Sequence, residues 1–108
     1  MTEPIRVVPE EIYEKVKSGK ALLVCAYEDE VKFKKMQLEG AISFNEFKSK
    51  LSSLSKDQEI VFYWGWPGER TAAGQAAKYI DMGYQNVKCL AGGVEALKQA
   101  GYSMINPE

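Results

Sequence analysis

The segment EIVFYWGWPGERTAAGQAAKYIDMGY, residues 59–84, constrains the fold more than any other stretch. EIVFYW (59–64) is a continuous apolar run of strand length, rich in β-branched and aromatic residues. A strand that is apolar on both faces needs cover on both faces, which a parallel sheet between helices provides. A short loop with two glycines and a proline follows. ERTAAGQAAKYIDMGY (69–84) then has the composition of a helix, ended by Gly83. Strand, tight loop and helix in that order form half of a βαβ crossover.

The rest of the chain repeats the alternation. IRVV (5–8) is a short strand candidate. Pro9 opens PEEIYEKVKSG, with Ile12, Tyr13 and Val16 at helical spacing and Gly19 near its end. ALLVCA (21–26) is a second continuous apolar run. EDEVKFKKM (28–36) places acids first and lysines last, matching the helix dipole. GAISF (40–44) is a short strand candidate, and FNEFKSKLSSL (44–54) puts Phe44, Phe47, Leu51 and Leu54 on one helical face. NVKCL (86–90) is a fifth strand, followed by a turn and a last helix in AGGVEALKQAGY. The pattern predicts an α/β domain with a mostly parallel sheet. At 108 residues, without repeats or an internal linker, one core suffices. Ligands in such sheets collect at the carboxyl ends of the strands, here near Cys25–Tyr27, Trp64 and Leu90–Gly93.

Composition removes several function classes. A net charge of −1 offers no surface for a polyanion, which argues against nucleic acid. No apolar run approaches the roughly 20 residues of a membrane span. The first residues, MTEPIRVVPEEIYEKVKSGK, lack the basic and apolar regions of a signal peptide, so a cytoplasmic location is expected. The chain has no histidine, which excludes Ser-His-Asp triads, Cys-His pairs and histidine-based metal sites. Cys25 and Cys89 have no metal-ligand spacing, and a reducing cytosol disfavours a disulfide between them. No metal or cofactor is implied.

The loop after EIVFYW is the candidate site. Such loops present a reactive side chain where the strand ends, and that position holds Trp64. Gly65 and Gly68 permit positive φ. Successive backbone N–H groups close to a helix start would make a concavity for a small anion such as thiosulfate, sulfate, phosphate or arsenate. The Arg70 guanidinium is placed to clamp an oxyanion, and Thr71 either lends a hydroxyl or opens the helix. Trp66 adds a second indole, Pro67 stiffens the loop, and Glu69 adds a negative charge that works against an anion. The competing reading is a tight strand–helix connection that needs glycine.

Three segments together resemble the rhodanese-like domain of thiosulfate sulfurtransferases. ALLVCAYEDEVKFKKMQLEGAI resembles that family's LLDVR…E…GHIPGAI segment. IVFYWGWPGERTAAGQAA resembles IVVYCxxGxRSAxAA, and GYQNVKCLAGGVEALKQAGYSM resembles GFxNVxxLxGGxxAWxxAGYP. The match spans roughly residues 5–104. The resemblance implies a central five-stranded parallel sheet flanked by helices on both faces. It also implies a cysteine at the end of the fourth strand that carries sulfur as a persulfide, taken from a thiosulfate-like anion and passed to cyanide or a protein thiol.

The sequence departs from that pattern at the chemistry. The nucleophile position is Trp64, and an indole forms no persulfide. The Asp and Arg of the DVR segment fall on Cys25 and Tyr27, the histidine on Gln37, and the late tryptophan on Leu97. Five residues separate Trp64 from Arg70, a spacing that resembles the Cx5R loop of related phosphatases and arsenate reductases. Three readings stand. The chain is an inactive family member that binds an anion or a protein, with Trp64 and Trp66 closing the pocket or forming a contact surface. Alternatively, the natural residue 64 is cysteine or selenocysteine, since the tryptophan codon is one base from both. In the third reading Cys25 or Cys89 takes over the chemistry, against the plainer role of small buried hydrophobes.

Overall fold

The computed structural model describes residues 4–65 and 68–105. In chain order the elements are β1 (Ile5–Val7), α1 (Pro9–Ser18), β2 (Ala21–Cys25), α2 (Glu30–Lys35) and β3 (Ala41–Ile42). They continue with α3 (Phe44–Lys50), a 3₁₀ turn at Leu51–Ser53, β4 (Glu59–Tyr63), α4 (Glu69–Asp81), β5 (Val87–Leu90) and α5 (Gly93–Gln99). The five strands form one sheet in the order β1-β5-β4-β2-β3, and every neighbouring pair is parallel.

The apolar run EIVFYW supplies the central strand. All five residues of β4 are buried, and it pairs with β2 from Ala21↔Glu59 to Cys25↔Tyr63. Its side chains alternate between two cores. Val61 and Tyr63 meet Ile12, Val16, Phe33 and Leu97 of α1, α2 and α5. Ile60, Phe62 and Trp64 meet Phe44, Phe47, Ala72, Ala76 and Tyr79 of α3 and α4. In the second core Phe47 lies edge-on to Phe62 at 5.5 Å and to Tyr79 at 5.1 Å. Each buried ring contributes on the order of 1.5–3 kcal/mol, and such ring pairs add about 0.5–1.5 kcal/mol. This double cover is what the continuous runs required.

Element ends differ from the sequence reading for local reasons. Asp29 accepts a hydrogen bond from the Val31 N–H at 2.9 Å, so α2 starts at Glu30 rather than at 28. Ser43 caps α3 by accepting from the Glu46 N–H at 3.0 Å, which ends β3 after two residues. The α3 helix tightens into the 3₁₀ turn after Lys50, and Leu54 packs on the second core from outside the helix. Gly83, at φ +102°, stops the chain after α4, whose last residue is Asp81. No helix among the described residues is long and apolar enough to cross a membrane.

Candidate functional site

The carboxyl ends of β2, β4 and β5 lie side by side, and short hydrogen bonds tie the loops beyond them together. The Ala26 N–H donates to the Tyr63 carbonyl at 3.1 Å, and the Val94 N–H donates to the Trp64 carbonyl at 2.6 Å. Trp64 follows β4 directly. The strand alternation turns its indole toward the α4 side, where it is 6% exposed. Its Nε1–H donates to the Leu90 carbonyl at 2.8 Å. Gly93, at φ +71°, comes so close that a Cβ there would stand 2.9 Å from the indole Cζ3. The missing side chain at Gly93 is therefore part of the indole's fit. Trp64 is a satisfied core residue, not part of an exposed aromatic surface.

The loop beyond it turns in on itself. The Gly68 N–H donates to the Gly65 carbonyl at 2.7 Å. The same carbonyl accepts the Tyr27 hydroxyl at 2.7 Å. The Tyr27 hydroxyl occupies the space a side chain at residue 68 would need, which is why glycine stands there. One amide donor expected for an anion is thus used inside the loop, and an acceptor oxygen faces the tyrosine. Burial raises the Tyr27 pKa, so it stays a hydroxyl donor. Met36 closes the other side: its Sδ lies 3.0 Å from where a Gly65 Cβ would be.

Glu69 and Arg70 begin α4. Glu69 is paired with Arg6 of β1 at 3.0 Å, so its charge is offset by a partner the loop sequence does not contain. Arg70 and Thr71 are exposed, and Arg70 has no ion pair among the described residues. Trp66 and Pro67 lie outside the described residues.

Cys25 and Cys89 are both fully buried. Burial is the leading cause that pushes each thiol up to about 11. Neither is a ready nucleophile, since attack requires the thiolate. They fall in opposite cores, Cys25 with the α1 and α5 side and Cys89 with the α4 side. Tyr63 reaches across the first core and donates its hydroxyl to the Met36 carbonyl at 3.0 Å.

The site residues that sequence reasoning missed are Tyr27 and Met36. Tyr27 had a signal, because it follows β2 at the predicted functional rim. Met36 had none, because its contact depends on how the segment after α2 returns to the sheet.

Comparison with known proteins agrees with this architecture. The model of the rhodanese-like domain family matches residues 8–100. No curated protein matches the chain. Among solved structures, a protein from Anabaena sp. is 20% identical, with 86% of this chain and 85% of that one covered and a TM-score of 0.68. A rhodanese-related protein from Thermoplasma volcanium is 16% identical, covering 94% of this chain and 95% of that one, with a TM-score of 0.65. A protein from Bacillus halodurans is 23% identical over 90% of this chain and 73% of that one, with a TM-score of 0.62. Those likenesses carry the five-stranded parallel fold, and the family model covers nearly the whole sequence. The chain belongs to the rhodanese-like domain family.

Proposed function

We propose that this domain uses the rhodanese-like scaffold for recognition and does not transfer sulfur. The observation that carries the reading is the fit of Trp64. Its indole is buried, its N–H is bonded to the Leu90 carbonyl, and Gly93 leaves room for it. A persulfide needs a thiolate or selenolate at the rim, and residue 64 supplies neither. Cys25 and Cys89 are poor substitutes because both are buried and hold their protons.

The second reading, a natural cysteine or selenocysteine at residue 64, is less well supported. An indole with its donor satisfied and its surroundings shaped to it is a working part of the core. The recognition surface is the outer rim of the loop, where Arg70 and Thr71 are exposed and Arg6 offsets Glu69. Its partner is an anionic group, either a free thiosulfate-like oxyanion or an acidic side chain on a protein. A bidentate guanidinium contact suits both.

Thiosulfate titration followed by the fluorescence of Trp64 and Trp66 tests the binding reading, with Arg70→Gln as the control. Saturable change lost in Arg70→Gln supports a free anion. No change with thiosulfate, together with capture of an acidic peptide that Arg70→Gln abolishes, supports the protein contact. Neither signal at millimolar ligand sinks the recognition reading.

A further inference from the structure

A concavity lies away from the loop. It is formed where the carboxyl half of α1 and the segment before β3 approach the residues after α5, toward the amino ends of the strands. It measures about 260 Å³ and is lined by Tyr13, Val16, Lys17, Glu39, Gly40 and Tyr102. The walls are fixed. The Tyr102 hydroxyl donates to the Pro9 carbonyl at 3.1 Å, and its ring meets Tyr13 edge to face at 4.9 Å. The Glu39 N–H donates to the Ser103 carbonyl at 2.8 Å, beside a bridge between Leu38 and Met104. Gly40 sits at φ +89° and so close to Val16 that a Cβ would lie 2.9 Å from Cγ1. A larger residue there would narrow the space.

The lining is apolar with one charge of each sign at the border. Lys17 holds its ammonium 5.1 Å from the centre of the Tyr13 ring. Glu39 has no ion pair among the described residues. A ligand with one charge would meet a like charge as well as an opposite one. A zwitterion satisfies both. The volume falls just below the roughly 300–1,000 Å³ of pockets for drug-sized ligands, which limits the occupant to about one ring. Tyrosine walls favour an aromatic ring through edge or stacked contacts.

We propose that this pocket binds a small aromatic zwitterion of the α-amino acid class, its carboxylate toward Lys17, its ammonium toward Glu39 and its ring against Tyr13 and Tyr102. The site shares no residue with the loop, so it stands or falls independently of the recognition reading.

The test is an NMR titration of the intact protein with phenylalanine, phenethylamine and 3-phenylpropionate. Saturable shifts centred on Tyr13, Val16, Gly40 and Tyr102 are expected. Phenylalanine should bind about three-fold more tightly than either singly charged analogue, the scale of one exposed ion pair. Lys17→Gln should erase the advantage over phenethylamine and Glu39→Gln the advantage over 3-phenylpropionate, and both positions are exposed, so the core stays intact. Lack of saturation, shifts centred elsewhere, equal affinity for the three probes, or an advantage that survives both substitutions would overturn the assignment.

Discussion

Replacing Trp64 by cysteine measures how far the indole has become part of the fold. The substitution removes a side chain that is 6% exposed, packed in the α4 core and bonded through Nε1 to the Leu90 carbonyl. Truncating a buried tryptophan to alanine costs about 3–5 kcal/mol, and cysteine recovers a little of that volume, so about 3–4 kcal/mol is expected. Unfolding entropy near 2.1 cal/mol/K per residue gives about 0.23 kcal/mol/K for 108 residues. The melting temperature should therefore fall by roughly 13–17 °C. Trp64→Phe separates the two contributions. It retains most of the apolar surface but leaves the Leu90 carbonyl without its indole donor, for a loss of about 1–3 kcal/mol. Calorimetry and urea titration on the three proteins give the numbers. Were Trp64→Cys to melt within about 4 °C of the parent, or above it, the indole would not be a fitted core group. The case for tryptophan as the working residue would then fail.

Three further outcomes follow from the geometry. Cys25 and Cys89 should resist alkylation at pH 8 in the folded protein and react promptly once it is unfolded; their pKa values are raised, so the folded state holds protons that the unfolded chain releases. Stability should accordingly be full below about pH 8.5 and fall above it, by about 1–2 kcal/mol per cysteine at pH 10 in urea titrations. Glu59 is 8% exposed and bonded to Lys88 at 2.7 Å and Lys15 at 3.1 Å. Burial opposes its ionisation, but the two lysines outweigh it and lower its pKa. Its contribution is present above the unfolded value near 4.3 and is lost as pH falls through the lower folded value, so Glu59→Gln should flatten the acid limb of the stability profile. Glu59→Gln should also cost about 1–3 kcal/mol at neutral pH, read by urea unfolding, because the partly buried Lys88 loses its buried partner. Tyr27→Phe deletes one of two donors to the Gly65 carbonyl while leaving the Gly68 N–H, so a loss of only about 0.5–1.5 kcal/mol is expected, with faster amide exchange at Gly68 as the local signature.

Much of the fold was legible because its strands are apolar on both faces. EIVFYW and ALLVCA required double cover, and they became the central strand β4 and its neighbour β2. Element ends were less legible, because they depend on caps such as Asp29 and Ser43 that compete with the hydrophobic pattern for the same residues. The candidate loop was found through its glycines, but Gly68 sits at φ −86° rather than at positive φ, and it is close approach that requires glycine there. What glycine approaches there could not be read from the loop, since the occupant is Tyr27, which lies far off in sequence. The same holds for Glu69. It reads as an obstacle to anions until Arg6 of the edge strand is brought beside it. Trp64 was recognised as the residue at the strand end, but its burial rests on Leu90 and Gly93 of a different βα unit.

The most direct measurement is the intact mass of the wild-type protein after incubation with thiosulfate, read together with thiocyanate formation on addition of cyanide. An unchanged mass and no thiocyanate above the protein-free background are expected. A retained sulfur atom on Cys25 or Cys89, or turnover by the chain with tryptophan at residue 64, would contradict it.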